Sequence, residues 1–140
     1  DELYTQTAIY AGNTPISFSP SFMGNSLIDF NYKGFDASLQ SQYVSRQYLD
    51  NFGLEENSLD PSFVSHLSLA YSFKLPSVKQ ITVGATIYNL FNTKYETNGY
   101  SQNAAVYEGG DKNQKAVLSY DPRFYPMAGT NVLAHIAIRF

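Results

Sequence analysis

The chain has 140 residues, of which only 15% are charged while 16% are aromatic, as 12 Tyr and 10 Phe without any Trp. A typical soluble domain is about 25% charged, so this one has either a very large buried surface or apolar surface that does not face water. A net charge of −3 leaves no basic footprint for nucleic acid, and the absence of cysteine excludes disulfides, thiolate metal sites and cysteine catalysis.

Taken in order, the elements are strands. Five runs of ten or more residues alternate with a period of two, which argues for β-strands with two chemically different faces. The run Phe22–Tyr32 sets Phe22, Ile28, Phe30 and Tyr32 against Asp29 and Asn31. Between Phe35 and Tyr48, the residues Phe35, Ala37, Leu39 and Tyr43 oppose Asp36, Ser38, Gln40 and Gln42. Ser62–Phe73 sets Phe63, Leu67, Leu69, Tyr71 and Phe73 against His66, Ser68, Ala70 and Ser72. Gln80–Phe91 sets Ile81, Val83, Ala85 and Ile87 against Thr82, Gly84, Thr86 and Tyr88. In Phe124–Phe140, the set Val132, Ala134, Ile136, Ile138 and Phe140 opposes Asn131, His135, Ala137 and Arg139. Residues 1–10 are a candidate end of a sixth strand.

The connections alternate in kind. Lys33-Gly34 leaves room for a two-residue hairpin, in which Gly tolerates positive φ, and the six residues Lys74–Lys79 join the third and fourth strands. Leu49–Pro61 and Asn92–Arg123 read as long loops, with turn signals at Asn98-Gly99 and Gly109-Gly110. So long an irregular loop is out of place in a compact soluble domain, whereas short turns on one side and long loops on the other suit an outer-membrane barrel.

Alternation alone fits a soluble β-sandwich equally well. Charge placement separates the two. The five strands hold 66 residues and four formal charges, Asp29, Asp36, Arg46 and Arg139; the other 74 residues hold 17. A polar face of Ser, Thr, Gln, Asn, Gly and Ala suits a filled lumen better than open water. Band height agrees: the ten steps from Phe63 to Phe73, at ~3.3 Å rise and ~45° tilt, span roughly 23 Å, against about 25 Å for a barrel's apolar band. Aromatics stand at both edges, Tyr32, Phe35, Tyr71, Phe73 and Phe140 on the short-turn side and Phe22, Tyr43, Phe63 and Phe124 on the other. The expected fold is an all-β antiparallel meander of five to six strands.

Several runs carry a family resemblance. Tyr43-Val44-Ser45-Arg46-Gln47-Tyr48-Leu49-Asp50-Asn51 resembles a strand-to-loop stretch near the end of TonB-dependent outer-membrane receptors. Ile87-Tyr88-Asn89-Leu90-Phe91-Asn92-Thr93-Lys94-Tyr95 is similar to their penultimate strand, with its N-L-F-(N/D)-x-x-Y signature. The stretch from Tyr125-Pro126-Met127-Ala128-Gly129-Thr130-Asn131 to Ile138-Arg139-Phe140 resembles their final strand, and Ser19-Pro20-Ser21-Phe22 fits just before an earlier one. Val132, Ala134, Ile136, Ile138 and Phe140 resemble the signal read by the barrel-assembly machinery.

The resemblance covers nearly the whole chain. It implies that residues 1–140 are the C-terminal part of a barrel of about 22 strands, without the plug domain or the TonB-contacting segment. It further implies a multi-pass protein of a Gram-negative outer membrane, importing a small-molecule ligand with TonB-derived energy. An iron complex such as a siderophore is the default cargo; a SusC-like glycan importer and a soluble carbohydrate-binding sandwich are the alternatives. The expected partners are the rest of the barrel, the plug, the TonB complex, the assembly machinery and outer-membrane lipid. Asp1-Glu2-Leu3-Tyr4 has neither the basic start nor the apolar core of a signal peptide, so an export signal is expected upstream. The topology places Lys33-Gly34, Lys74–Lys79 and Phe140 at the periplasmic edge, with both long loops outside.

Chemistry-bearing residues are few. His66 and His135 lie on the predicted lumen face, but a metal needs more ligands, and both read as hydrogen-bonded lumen side chains. Asp50, Glu55, Glu56 and Asp60 suggest calcium but lack the EF-hand spacing, which favours a solvated loop. No nucleophile elbow, phosphate loop or Ser/His/Asp set is present, so no enzymatic activity, metal or cofactor is expected. Tyr95, Tyr100, Tyr107 and Tyr120 in the last long loop offer flat faces and hydroxyls for a ligand, and serve equally well to pack the loop.

Overall fold

A computed structural model describes residues 12–107 and 116–140, with the side chains of 103–107 and 116–118 excepted. The fold is all-β. Among the described residues nine strands occur, in the order β1 (Met23–Tyr32), β2 (Phe35–Val44), β3 (Gln47–Tyr48), β4 (Ser58–Leu59), β5 (Ser62–Leu75), β6 (Val78–Tyr88), β7 (Glu96–Tyr107), β8 (Ala116–Pro126) and β9 (Asn131–Arg139). One 3-10 turn, Glu55–Asn57, precedes β4. The possible sixth strand in residues 1–10 and the Gly109-Gly110 turn lie outside the described residues.

Five strands form one antiparallel sheet in the order β1-β2-β5-β6-β9. The register aligns the apolar sets across all five. One row runs Phe30, Ala37, Leu69, Ala85, Ala134, and the next runs Ile28, Leu39, Leu67, Ile87, Val132. Because side chains alternate between faces, this register puts every apolar set on one face and Asp29, Asp36, Ser38, Ser68, Thr86 and His135 on the other. Two rows of the polar face are joined by cross-strand hydroxyl pairs, Ser68–Thr86 at 3.1 Å and Ser72–Thr82 at 2.8 Å, and Asn31 donates to Asp36. Ser41 and Ser65 fall on the apolar face, where their hydroxyls satisfy each other at 2.8 Å.

The sheet is a single layer. Among the described residues only Leu49, Leu59 and Val64 are buried apolar side chains, while Phe30, Val132, Ile136 and Ile138 are each more than half exposed. A soluble sheet buries its apolar face against a second layer; among the described residues nothing covers this one.

The first short connection is the two-residue hairpin expected, and the second is tighter than expected. At Lys33-Gly34 both residues have positive φ, 48° and 85°, and Ser72 N–H donates to the Gly34 carbonyl. A Cβ on Gly34 would collide with the Ser72 carbonyl oxygen. The Lys74–Lys79 connection reduces to Pro76-Ser77, because β5 and β6 run on through a bulge between Phe73 and Leu75. Phe73, Ile81 and Ile138 share a row beside these turns, so β9 ends at the same edge of the sheet as Lys33-Gly34, as the topology requires.

Three sequence expectations need correction. The strand expected to run from Phe35 to Tyr48 breaks after Val44, and Gln47–Tyr48 turns away to pair with Ser58–Leu59. The strand expected over Phe124–Phe140 is only Asn131–Arg139. Phe124, Tyr125 and Pro126 belong instead to β8, which pairs with β7 from Glu96↔Pro126 to Tyr107↔Ala116. The long connection Asn92–Arg123 is therefore mostly a β-hairpin, with Asn98-Gly99 inside a strand beside a bulge. Its polar, Tyr-rich sequence lacks a clean apolar alternation because the hairpin does not lie in the main sheet. Phe124 consequently leaves the aromatic edge assigned to it.

Candidate functional site

The long-loop end of the sheet carries a second structure. The β3–β4 ribbon packs through β4 on β7, and the 3-10 turn packs on β8. Leu49 and Leu59 are buried there, and Asn57 is fully buried, its amide donating to Asp50 Oδ2 at 2.6 Å. Asp50 also accepts from Phe52 N–H at 2.9 Å, while Arg46 bridges Glu55 at 3.5 Å and Asp60 at 3.3 Å. Of the acidic residues considered for calcium, Asp50 caps and Glu55 and Asp60 brace the loop, and among the described residues no three His, Cys, Asp or Glu side chains form a metal-binding group.

Of the tyrosines singled out in the sequence, Tyr95, Tyr100 and Tyr120 do not converge. Tyr100 pairs with Tyr125 across the hairpin, ring centroids 6.2 Å apart, and both rings are about half exposed. Tyr120 packs edge-on against Phe52, 6.5 Å away, and so ties the hairpin to the other loop. Burial holds its hydroxyl above the ordinary range, with the Asp50 and Glu56 carboxylates adding to the shift. Tyr95 stands at the hairpin root, where it lines a concavity of about 440 Å³ with His66, Tyr88, Met127 and Asn131. The side chain of Tyr107 lies outside the description; its backbone pairs with Ala116.

The histidines are separated. His66 Nδ1 accepts from Asn89 N–H at 3.1 Å and lies edge-on to Tyr88, which puts the ring proton on Nε2. His135 lies across Gly84 on the neighbouring strand, where a Cβ would clash with the imidazole. Val132, Ala134, Ile136 and Ile138 lie on the apolar face of β9, and Phe140 just beyond it is 80% exposed.

The residues that sequence reasoning missed as builders are Asn89 and Asn92. Both take positive φ, 50° and 52°, a conformation Asn tolerates better than most residues. The buried Asn89 amide donates to the Thr93 and Ala128 carbonyls, and its Oδ1 accepts from Thr93 N–H. Thr130 Oγ1 donates to the Asn89 carbonyl at 2.7 Å, and Thr130 N–H donates to Asn92 Oδ1 at 3.1 Å. Thr93 Oγ1 donates to the Phe63 carbonyl. This knot clamps the two feet of the hairpin together on the sheet; two Asn three residues apart at the end of an apolar strand were its only trace in the sequence.

Compared with family models, curated proteins and solved structures, the chain matches none of them.

Proposed function

We propose that this chain is a membrane-embedded part of a TonB-dependent outer-membrane transporter, contributing five adjacent strands and two outer loops to a barrel of about 22 strands. The observation that carries the reading is the single-layer sheet. Its apolar face stays in register over five strands and is uncovered among the described residues, and its other face carries mainly neutral hydrogen-bonding side chains. In lipid such a face is stable as it stands, and the backbone groups of the outer strands β1 and β9 are satisfied by further strands that close the barrel. The Tyr-bearing hairpin and the braced loop Leu49–Pro61 lie together at one end, where ligand capture is expected; the plug and the TonB contact belong to other parts of the protein. An iron complex is the default cargo. The soluble-sandwich alternative requires a second layer over the apolar face, which the described residues do not supply.

The test is fractionation of cells expressing the full-length protein, with heat-modifiable gel mobility and ligand uptake measured with and without the energised inner membrane. The reading expects a heat-modifiable outer-membrane species and uptake that collapses when the proton gradient is dissipated. A monodisperse protein that needs no detergent would overturn it.

A further inference from the structure

Among the described residues the two ends of the sheet have opposite charge. The long-loop end holds Asp50, Glu55, Glu56, Asp60, Glu96 and Asp121 against Arg46, Lys94 and Arg123 among the described residues. At the short-turn end the charged side chains among the described residues are Lys33, Lys74, Lys79 and Arg139, all exposed. None of these four makes an ion pair with a carboxylate among the described residues. The nearest acidic residue along the sheet, Asp36, sits one pair in from the Lys33-Gly34 turn and is engaged by Asn31. Lys74, Lys79 and Arg139 converge on one concavity of about 490 Å³, completed by Leu75, Val78 and Gln80. By strand alternation Lys79 continues the apolar face of Ile81 and Val83, whereas Arg139, opposite Gln80, continues the polar face. The concavity therefore straddles the rim, directly beside the end of the apolar band at Phe73, Ile81 and Ile138.

We propose that Lys74, Lys79 and Arg139 form a binding site for the phosphate of an anionic phospholipid in the leaflet that meets the short-turn edge, an inference that rests on the membrane reading above. Three cations without carboxylate partners among the described residues attract an anion, and Arg and Lys head groups donate well to phosphate oxygens. The adjoining apolar band selects an anion that carries acyl chains, because the chains lie on that band while the head group reaches the rim. Each basic side chain near an anionic lipid surface strengthens association by roughly five-fold.

The experiment uses the full-length protein, extracted in mild detergent and examined by native mass spectrometry with added phosphatidylglycerol, phosphatidylcholine or inorganic phosphate. The expected result is retained phosphatidylglycerol in preference to phosphatidylcholine, not displaced by inorganic phosphate. That preference falls by roughly five-fold for Lys79→Gln and further for Lys74→Gln/Lys79→Gln/Arg139→Gln, while Lys94→Gln/Arg123→Gln at the opposite end leaves it unchanged. Heat-modifiable mobility confirms that each variant is folded, and Lys79→Gln alone serves if the triple variant is not. Equal retention by parent and variants overturns the proposal and leaves the membrane reading standing; so does displacement of the lipid by inorganic phosphate. A triple variant that keeps its lipid but exposes protein inside the barrel to protease assigns the cations to a protein partner and also overturns it. A protein that is soluble without detergent removes both readings together.

Discussion

Substituting lysine at two adjacent positions of β5 separates a lipid-facing side chain from a lumen-facing one. Leu67 lies on the apolar face between Leu39 and Ile87, and Ser68 lies on the polar face between Ser38 and Thr86. Four residues separate Leu67 from Phe63 at one edge of the band. At ~3.3 Å rise and ~45° tilt that is about 9 Å of depth in a band of about 23 Å, within a few ångströms of its middle. A lysine there costs ~2–4 kcal/mol in a barrel, a loss of roughly 30-fold to 1,000-fold in the folded-to-unfolded ratio. The lower figure applies if the long side chain bends its ammonium toward the interface. Ser68→Lys loses the hydroxyl pair with Thr86, worth about 1 kcal/mol, and places its charge in the lumen. The same change at Phe73, on the band edge, is expected to cost ~0–1 kcal/mol. Urea-titrated refolding of the full-length protein into lipid vesicles, followed by heat-modifiable mobility, gives the three values. Equal losses at 67 and 68, or a larger loss at 73 than at 67, would refute the assignment of faces and with it the lipid-facing reading.

Other consequences follow from particular contacts. Gly84→Ala is expected to cost about 1–3 kcal/mol, because the added Cβ meets the His135 ring and lies 3.0 Å from the Leu69 carbonyl oxygen. Combining it with His135→Ala should recover part of that loss, and a denaturation double-mutant cycle reading no coupling would remove the clash as its cause. Asn89→Ala strips three hydrogen bonds from a buried knot and leaves Ala at positive φ. A loss of about 2–4 kcal/mol is expected, with faster proteolysis within residues 93–130; Asn89→Gly, which relieves only the backbone, should fall between Ala and the parent. Replacing both Tyr100 and Tyr125 by Ala should weaken ligand uptake by up to about ten-fold at an unchanged amount of assembled protein, as read by whole-cell transport. Unchanged uptake would show that the exposed ring pair does not touch the ligand.

The sequence by itself determined the sheet. Period-two alternation in Ser62–Phe73 and Gln80–Phe91 fixes which residues share a face. A Gly at position 34 between two such runs fixes a tight hairpin, so strand identity and relative orientation followed from local pattern. What the pattern did not reveal is where alternation stops meaning membership of one sheet. Phe124, Tyr125 and Pro126 read as the start of the last strand because an apolar run looks the same whether it pairs with β6 or β7. Only long-range backbone pairing, Glu96 with Pro126 and Tyr88 with Asn131, divides them. The loop residues were legible as residue types but not as a site: Tyr95, Tyr100 and Tyr120 share a connection in sequence, yet each is placed by a different partner. Asn89 also bonds locally to Thr93, but Asn89 and Asn92 join the two feet of the hairpin only through the carbonyl of Ala128 and the N–H and hydroxyl of Thr130, about 40 residues away. Local chemistry dictates the period and the turn; which distant backbone group a side chain satisfies depends on how the strands are brought together, and that was decided by the tertiary structure alone.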